Sequence, residues 1–99
     1  MIKGDPMKSF VHNAVKSRFE YHSQGEVAIC EYESLDGIWY LNHTSVPGSM
    51  RGQGVAGKLA EFVLNHVAAQ NGKIVPNCSY IAAYIEKHQH LTRLLASGK

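Results

Sequence analysis

Cysteine is scarce. Only Cys30 and Cys78 occur, far apart and with no C-x-x-C spacing. That excludes a disulfide scaffold or a zinc ribbon and leaves two free thiols as the expectation. Long apolar runs are missing as well. Nothing approaches the ~18 residues of a membrane span, and Met1-Ile2-Lys3-Gly4-Asp5-Pro6 has no signal-peptide core. A cytoplasmic protein without membrane contact is expected. Charge is sparse at 18% against 44% hydrophobic residues, which excludes a disordered chain. The net charge of +2 is too small to argue for nucleic acid, and no clustered basic face accompanies the strand aromatics. Internal repeats, low-complexity tracts and linkers are absent. At 99 residues a second domain would leave neither half a core, so residues 1–99 read as a single domain. A chain of this size buries about 60–70% of its unfolded surface and needs no staples.

The charge that is present is unevenly placed. Residues 1–50 carry four basic and six acidic side chains, residues 51–99 six basic and two acidic. A basic half suits an anionic ligand and an acidic half a cationic one. Residues 1–8 show no periodicity and read as a loose arm. Phe19 and Tyr21 alternate with Arg18, Glu20 and His22, the pattern of a half-buried strand over 18–23. Gln24-Gly25 makes a turn into a second strand, Glu26–Ser34. Asp36-Gly37 is a strong hairpin signal and leads into a third strand, Gly37–Val46. Its consecutive apolar residues Ile38, Trp39, Tyr40 and Leu41 predict a central strand covered on both faces. The period then changes. Val55, Leu59, Val63 and Val67 recur at i+4, predicting a helix over 53–71, stopped by Asn71-Gly72 with Gly72 as left-handed cap. Lys73–Asn77 is a short fourth strand. A strand–helix–strand path returns parallel to the third strand, and Pro76, unable to donate, predicts that pairing fails at that end. A second helix, Ser79–His90, follows with Asn77 or Ser79 as its cap. The order βββ-α-β-α is an α+β fold built on a mixed sheet.

Arg51-Gly52-Gln53-Gly54-Val55-Ala56-Gly57-Lys58 opens the long helix, where free amides can meet phosphate. Three motifs fit it. Gly52, Gly54 and Gly57 spell the dinucleotide fingerprint, yet no strand runs directly into the first glycine and no acidic residue stands near Asn77 for the ribose. Gly52 through Gly57-Lys58 nearly spells a P-loop, yet Leu59 replaces the magnesium-binding hydroxyl. The third is the pyrophosphate loop of acyl-CoA-dependent acetyltransferases, Q/R-x-x-G-x-G/A, filled by Arg51, Gly54 and Ala56. Here the surrounding elements agree.

With Leu41-Asn42-His43-Thr44-Ser45-Val46-Pro47 and Val75-Pro76-Asn77-Cys78-Ser79-Tyr80-Ile81-Ala82-Ala83-Tyr84, that loop makes the chain resemble the GNAT superfamily of N-acetyltransferases over residues 18 to about 90. It is most similar to a small, single-domain subfamily. The resemblance implies a GNAT-like sheet, an antiparallel meander followed by α-β-α, whose strands 3 and 4 are parallel and splayed. It implies acetyl-CoA as co-substrate, with no metal. Its pantetheine arm would pair with Thr44, Ser45 and Val46, and its pyrophosphate would sit on Arg51, Gly52, Gln53, Gly54, Val55 and Ala56, with Asn77 also at the cofactor.

Acetyl transfer needs a neutral amine, donors for the oxyanion and an acid for the departing thiolate. Tyr84 matches the tyrosine many relatives use as that acid, and reads equally as a packed aromatic. Cys78, at a helix start where thiolates are stabilised, is either a nucleophile forming an acetyl-cysteine or pocket lining. Relatives of the small type carry a cysteine there. His43, sharing a strand face with Leu41 and Ser45, is a candidate base, with Glu31 and Glu33 behind it. His88-Gln89-His90 lacks a third ligand for zinc. Most of the superfamily continues with strands that cover the acceptor, and nothing after His90 reads as one. The acceptor side is therefore expected to be open, which suits a protein or peptide lysine or a polyamine, or to be completed by a second molecule, on a monomer or weak homodimer. The reading from a different class is a non-catalytic CoA-binding or protein-interaction module.

Overall fold

The computed structural model describes residues 8–96. The loose arm expected over residues 1–8 lies outside them apart from Lys8, which opens a strand. The chain runs β1 (Lys8–Asn13), β2 (Arg18–Ser23), β3 (Glu26–Leu35), β4 (Ile38–Ser45), α1 (Val55–Ala69), β5 (Lys73–Pro76) and α2 (Ser79–Lys87), with 3-10 turns at Gly48–Met50 and Gln89–Leu94. The five strands lie in sequence order. β1 to β4 are antiparallel, and β5 returns parallel to β4. That is the expected mixed sheet with one strand more. β1 escaped the sequence reading because Lys8–Asn13 is a short edge strand with Phe10 and Val11 adjacent, which hides a period of two.

Both hairpin turns form as their residues dictate. Gln24-Gly25 and Asp36-Gly37 each place two successive residues at positive φ, 52 and 82°, and 55 and 81°, which matches the strand twist. α1 buries the predicted stripe Val55, Leu59, Val63 and Val67 against β2 and β3, and α2 lies beside α1 with Ile81 and Ile85 inward. The core therefore sits between the helices and one sheet face, centred on Phe19, Leu41, Leu64 and Ile74. On the opposite face Ile38 and Tyr40 are half-buried and no helix covers them among the described residues. Cover on both sides of β4 is thus corrected. Four successive apolar residues reflect a core on one face and half-shielded packing on the other.

Three local expectations also change. The left-handed residue after α1 is Asn71, at φ 57°. Gly72 serves close packing instead, for a Cβ there would stand 2.8 Å from Trp39 Nε1 and 2.9 Å from Val67 Cγ1. α2 is capped by Cys78 rather than Asn77 or Ser79. Beyond Lys87 the chain tightens into the 3-10 turn, burying Leu91 and Leu94, and Leu95 bridges to Ile74 at the outer edge of β5.

Candidate active site

The parallel ladder runs from Ile38 opposite Lys73 to Leu41 opposite Pro76 and stops. Pro76 marks the place without causing it. Alternate residues of β5 point their backbone groups to opposite edges: Lys73 N–H donates inward to Gly37 O at 2.9 Å, whereas Ile74 O accepts outward from Ala96 N–H at 2.9 Å. Pro76, two residues after Ile74, faces the outer edge, where a missing donor costs the ladder nothing. The strands diverge at the next residue. Asn77 N–H turns back onto Val75 O at 3.0 Å, and Cys78 N–H takes Leu41 O at 2.8 Å.

β4 bends at the same level. Tyr32 pairs with Leu41 but Glu31 pairs with His43, so Asn42 is an extra residue, a bulge. Past it the faces are exchanged relative to strict alternation. Thr44, opposite the buried Cys30, points to the helix side, and His43, opposite Glu31, stands exposed on the helix-free face. His43 therefore shares a face with Ser45 but not with Leu41, which corrects the expectation. Asn77 Nδ2 donates to Asn42 Oδ1 at 2.9 Å across the opening, so Asn77 acts as a strut between the diverging strands.

A cleft of about 360 Å³ lies where β4 leads into α1. It gathers Val46, Arg51, Gly52, Gly54, Val55 and Ala56 from the predicted cofactor set, and adds Met50, Gly57 and Tyr80. Gly52 and Gly54 adopt φ of 81 and 73°, a backbone costly for other residues. α1 starts without a side-chain cap or an acid in its first turn, so its leading amides have no partner within the helix and carry the positive end of its dipole. An anionic group fits this cradle. A dinucleotide fingerprint would use Gly57 for close helix–strand packing; here a Cβ at Gly57 would meet only Tyr80 Oη at 3.6 Å and Tyr84 at 4.0 Å, both from α2. Gln53 is turned away from the cleft, its Nε2 donating to Ser49 O at 2.9 Å. Thr44 and Ser45 lie beyond the cleft on β4, at the splay.

Cys78 sits half-buried at that splay, its Sγ–H donating to Thr44 Oγ1 at 3.4 Å. Burial alone would raise this thiol, but the Thr44 hydroxyl and the amides of Ile81 and Tyr80 at the start of α2 outweigh it and bring it below the usual range. Cys30, fully buried, is pushed up to about 11 by desolvation. Tyr84 borders a separate cavity of about 180 Å³ between α1 and the end of α2, with Glu61, Asn65 and His88. His88 stacks on its ring at 4.1 Å. Burial, the Glu61 carboxylate and Tyr80 raise the Tyr84 phenol, keeping it protonated. Tyr80 is the tyrosine that reaches the glycine cleft. Sequence reasoning passed over it because Tyr80 and Tyr84, one turn apart on the same helix face, differ only in depth. Among the described residues no three His, Cys, Asp or Glu side chains converge as metal ligands.

A mixed sheet whose parallel pair diverges beside a glycine-started helix, with a thiol at the fork, defines a GNAT-type fold. Residues 18–94 match the family model described as GCN5-related N-acetyl-transferase, and the chain belongs to that family. Mouse Protein NATD1 is 32% identical over 98 residues, covering 93% of this chain and 88% of that protein. Human Protein NATD1 is 39% identical over 57 residues, covering 54% and 50%. Among solved structures, a GCN5-like protein from Staphylococcus aureus superposes with a TM-score of 0.71 at 23% identity, over 92% of this chain and 90% of that one; the likeness is one of fold. β1 lies ahead of the residues matched to the family.

Proposed function

We propose that the protein moves an acetyl group from acetyl-CoA to a primary amine, a protein or peptide lysine or a polyamine, by way of Cys78. The family and the fold support acyl transfer in general. The observation that carries the specific reading is the continuity of two features along β4: an anion-suited cradle at the start of α1, and a lowered thiol where β4 and β5 diverge. The pyrophosphate lies on the amides of Gly52 to Ala56 with Arg51 and the Tyr80 hydroxyl beside it, and the pantetheine follows the β4 edge past Val46, Ser45 and Thr44. A set of phosphates also suits the basic second half of the chain.

The Cys78 thiolate then attacks the acetyl carbonyl. Its sulfur–carbon bond forms as the bond to the CoA sulfur breaks, and the Tyr84 phenol protonates the departing thiolate. Amides at the start of α2 receive the oxyanion. The amine arrives from the helix-free face, where His43 takes its proton directly or through water, and attacks the acetyl-cysteine to release amide and Cys78 thiolate. Solvent restores the Tyr84 proton.

Intact-protein mass spectrometry after incubation with acetyl-CoA tests this. One acetyl group on Cys78 that disappears when lysine peptides or polyamines are added is expected. Cys78→Ala is expected to abolish the adduct and cut turnover by about a hundredfold or more while leaving CoA affinity within about twofold. Acetylated amines at wild-type rate from Cys78→Ala would mean direct transfer. CoA retained with neither product would leave a binding module.

A further inference from the structure

The thiol at residue 78 meets a hydroxyl from the neighbouring strand. Thr44 is the first residue past the Asn42 bulge to point back toward the helices, a direction taken on β4 otherwise by the buried Trp39 and Leu41. Its Oγ1 lies 3.4 Å from Cys78 Sγ. Its cross-strand partner on β3 is Cys30, which is fully buried. A hydroxyl has one proton to give and two lone pairs to receive, so the Thr44 oxygen accepts from the Cys78 thiol and its own proton can turn to the Cys78 thiolate.

We propose that Thr44 is a positioning residue for Cys78, its hydroxyl directed at the Cys78 sulfur by the bulge at Asn42 that turns residue 44 toward the helices. With Cys78 a thiol, its proton goes to Thr44 Oγ1; once Cys78 is a thiolate, Thr44 Oγ1–H turns to the sulfur and makes a charge-assisted bond. No heavy atom changes place, and solvent takes the Cys78 proton. This role rests on Cys78 acting as a thiolate in the proposed reaction. It adds a reason for threonine at 44, where the resemblance implies only backbone contact with pantetheine.

The Cys78 titration isolates this role, read as the pH dependence of alkylation by iodoacetamide in the full protein without acetyl-CoA, with peptide mapping to confirm that Cys78 is the site modified. Thr44→Val, close in shape but without the hydroxyl, is expected to raise the apparent Cys78 pKa by about one unit and slow alkylation at neutral pH about tenfold. Thr44→Ser is expected to restore it. Thr44→Ala provides a second hydroxyl-free variant whose thermal melt is followed alongside. An unmoved titration in both hydroxyl-free variants overturns the role of Thr44. Because no acetyl donor is present, failure of acetyl transfer leaves this result standing, and failure here leaves the transfer assay untouched.

Discussion

Glu20 shows what a single carboxylate does in this sheet. It lies on the helix-free face, yet it is 5% exposed, enclosed by Arg18 Nε at 2.6 Å, His22 Nε2 at 2.7 Å and Asn13 Nδ2 at 2.9 Å. His22 foremost, then Arg18, hold its carboxyl down at about 2 from the ordinary 4.5, against the opposing effect of burial. The folded-state value is depressed, so the stabilisation is complete above 4.5 and is lost as pH falls from there toward 2. Glu20→Gln is expected to lower stability by about 1 kcal/mol at neutral pH, a figure kept small because Arg18 and His22 are partly in water. It should also flatten the fall between pH 4.5 and 2, as read from urea midpoints against pH. The alternation of Phe19 and Tyr21 with Arg18, Glu20 and His22 was plain in the sequence. That the middle charge is enclosed was not, because Asn13 comes from the unread β1.

Turns and helix faces were the most legible elements, since Asp36-Gly37 and the i+4 stripe of α1 are decided by neighbours in the chain. The ends of elements were less so. Asn71 and Gly72 exchanged roles: composition favours glycine for the left-handed position, but Trp39 and Val67 crowd Gly72 and leave that position to Asn71. Two substitutions separate the roles. Gly72→Ala is expected to cost about 1–3 kcal/mol as Trp39 or Val67 is pushed aside, whereas Asn71→Gly, relieved at φ 57°, should stay within about 0.5 kcal/mol. Denaturant unfolding of the pair measures both, and equal losses would contradict the assignment. The Asn42 bulge was illegible for a different reason. A bulge is a count of residues on one strand against another, so nothing in Leu41-Asn42-His43-Thr44 alone discloses that His43 and Thr44 trade faces.

For the whole molecule, the order of elements and the parallel return of β5 followed from chain connectivity, whereas the choice of one covered face did not. Six of the ten expected cofactor residues line the glycine cleft. The expected catalytic groups are dispersed: Cys78 at the fork, Tyr84 at a neighbouring cavity, His43 across the sheet. Charge is segregated in the same sense, because the acidic half of the sequence builds β1 to β4 and the basic half builds α1, β5 and α2. CoA binding by the basic half is expected to weaken several-fold as salt rises from about 0.05 to about 0.5 M. Arg51→Ala should reduce that dependence, a difference that titration calorimetry at two ionic strengths would read. Affinity indifferent to salt would count against the phosphates resting at the start of α1.

The bond from Cys78 N–H to Leu41 O, 2.8 Å long, fastens the main chain of residue 78 independently of the contact its side chain makes with Thr44. The side chain is thus a replaceable head on a fixed mount. Serine, selenocysteine or a non-natural nucleophile installed at 78 would occupy the same spot over the α2 amides without asking the fold to rearrange. The chemistry carried at this fork is accordingly free to change one residue at a time, by selection or by design, while the scaffold that presents it stays constant.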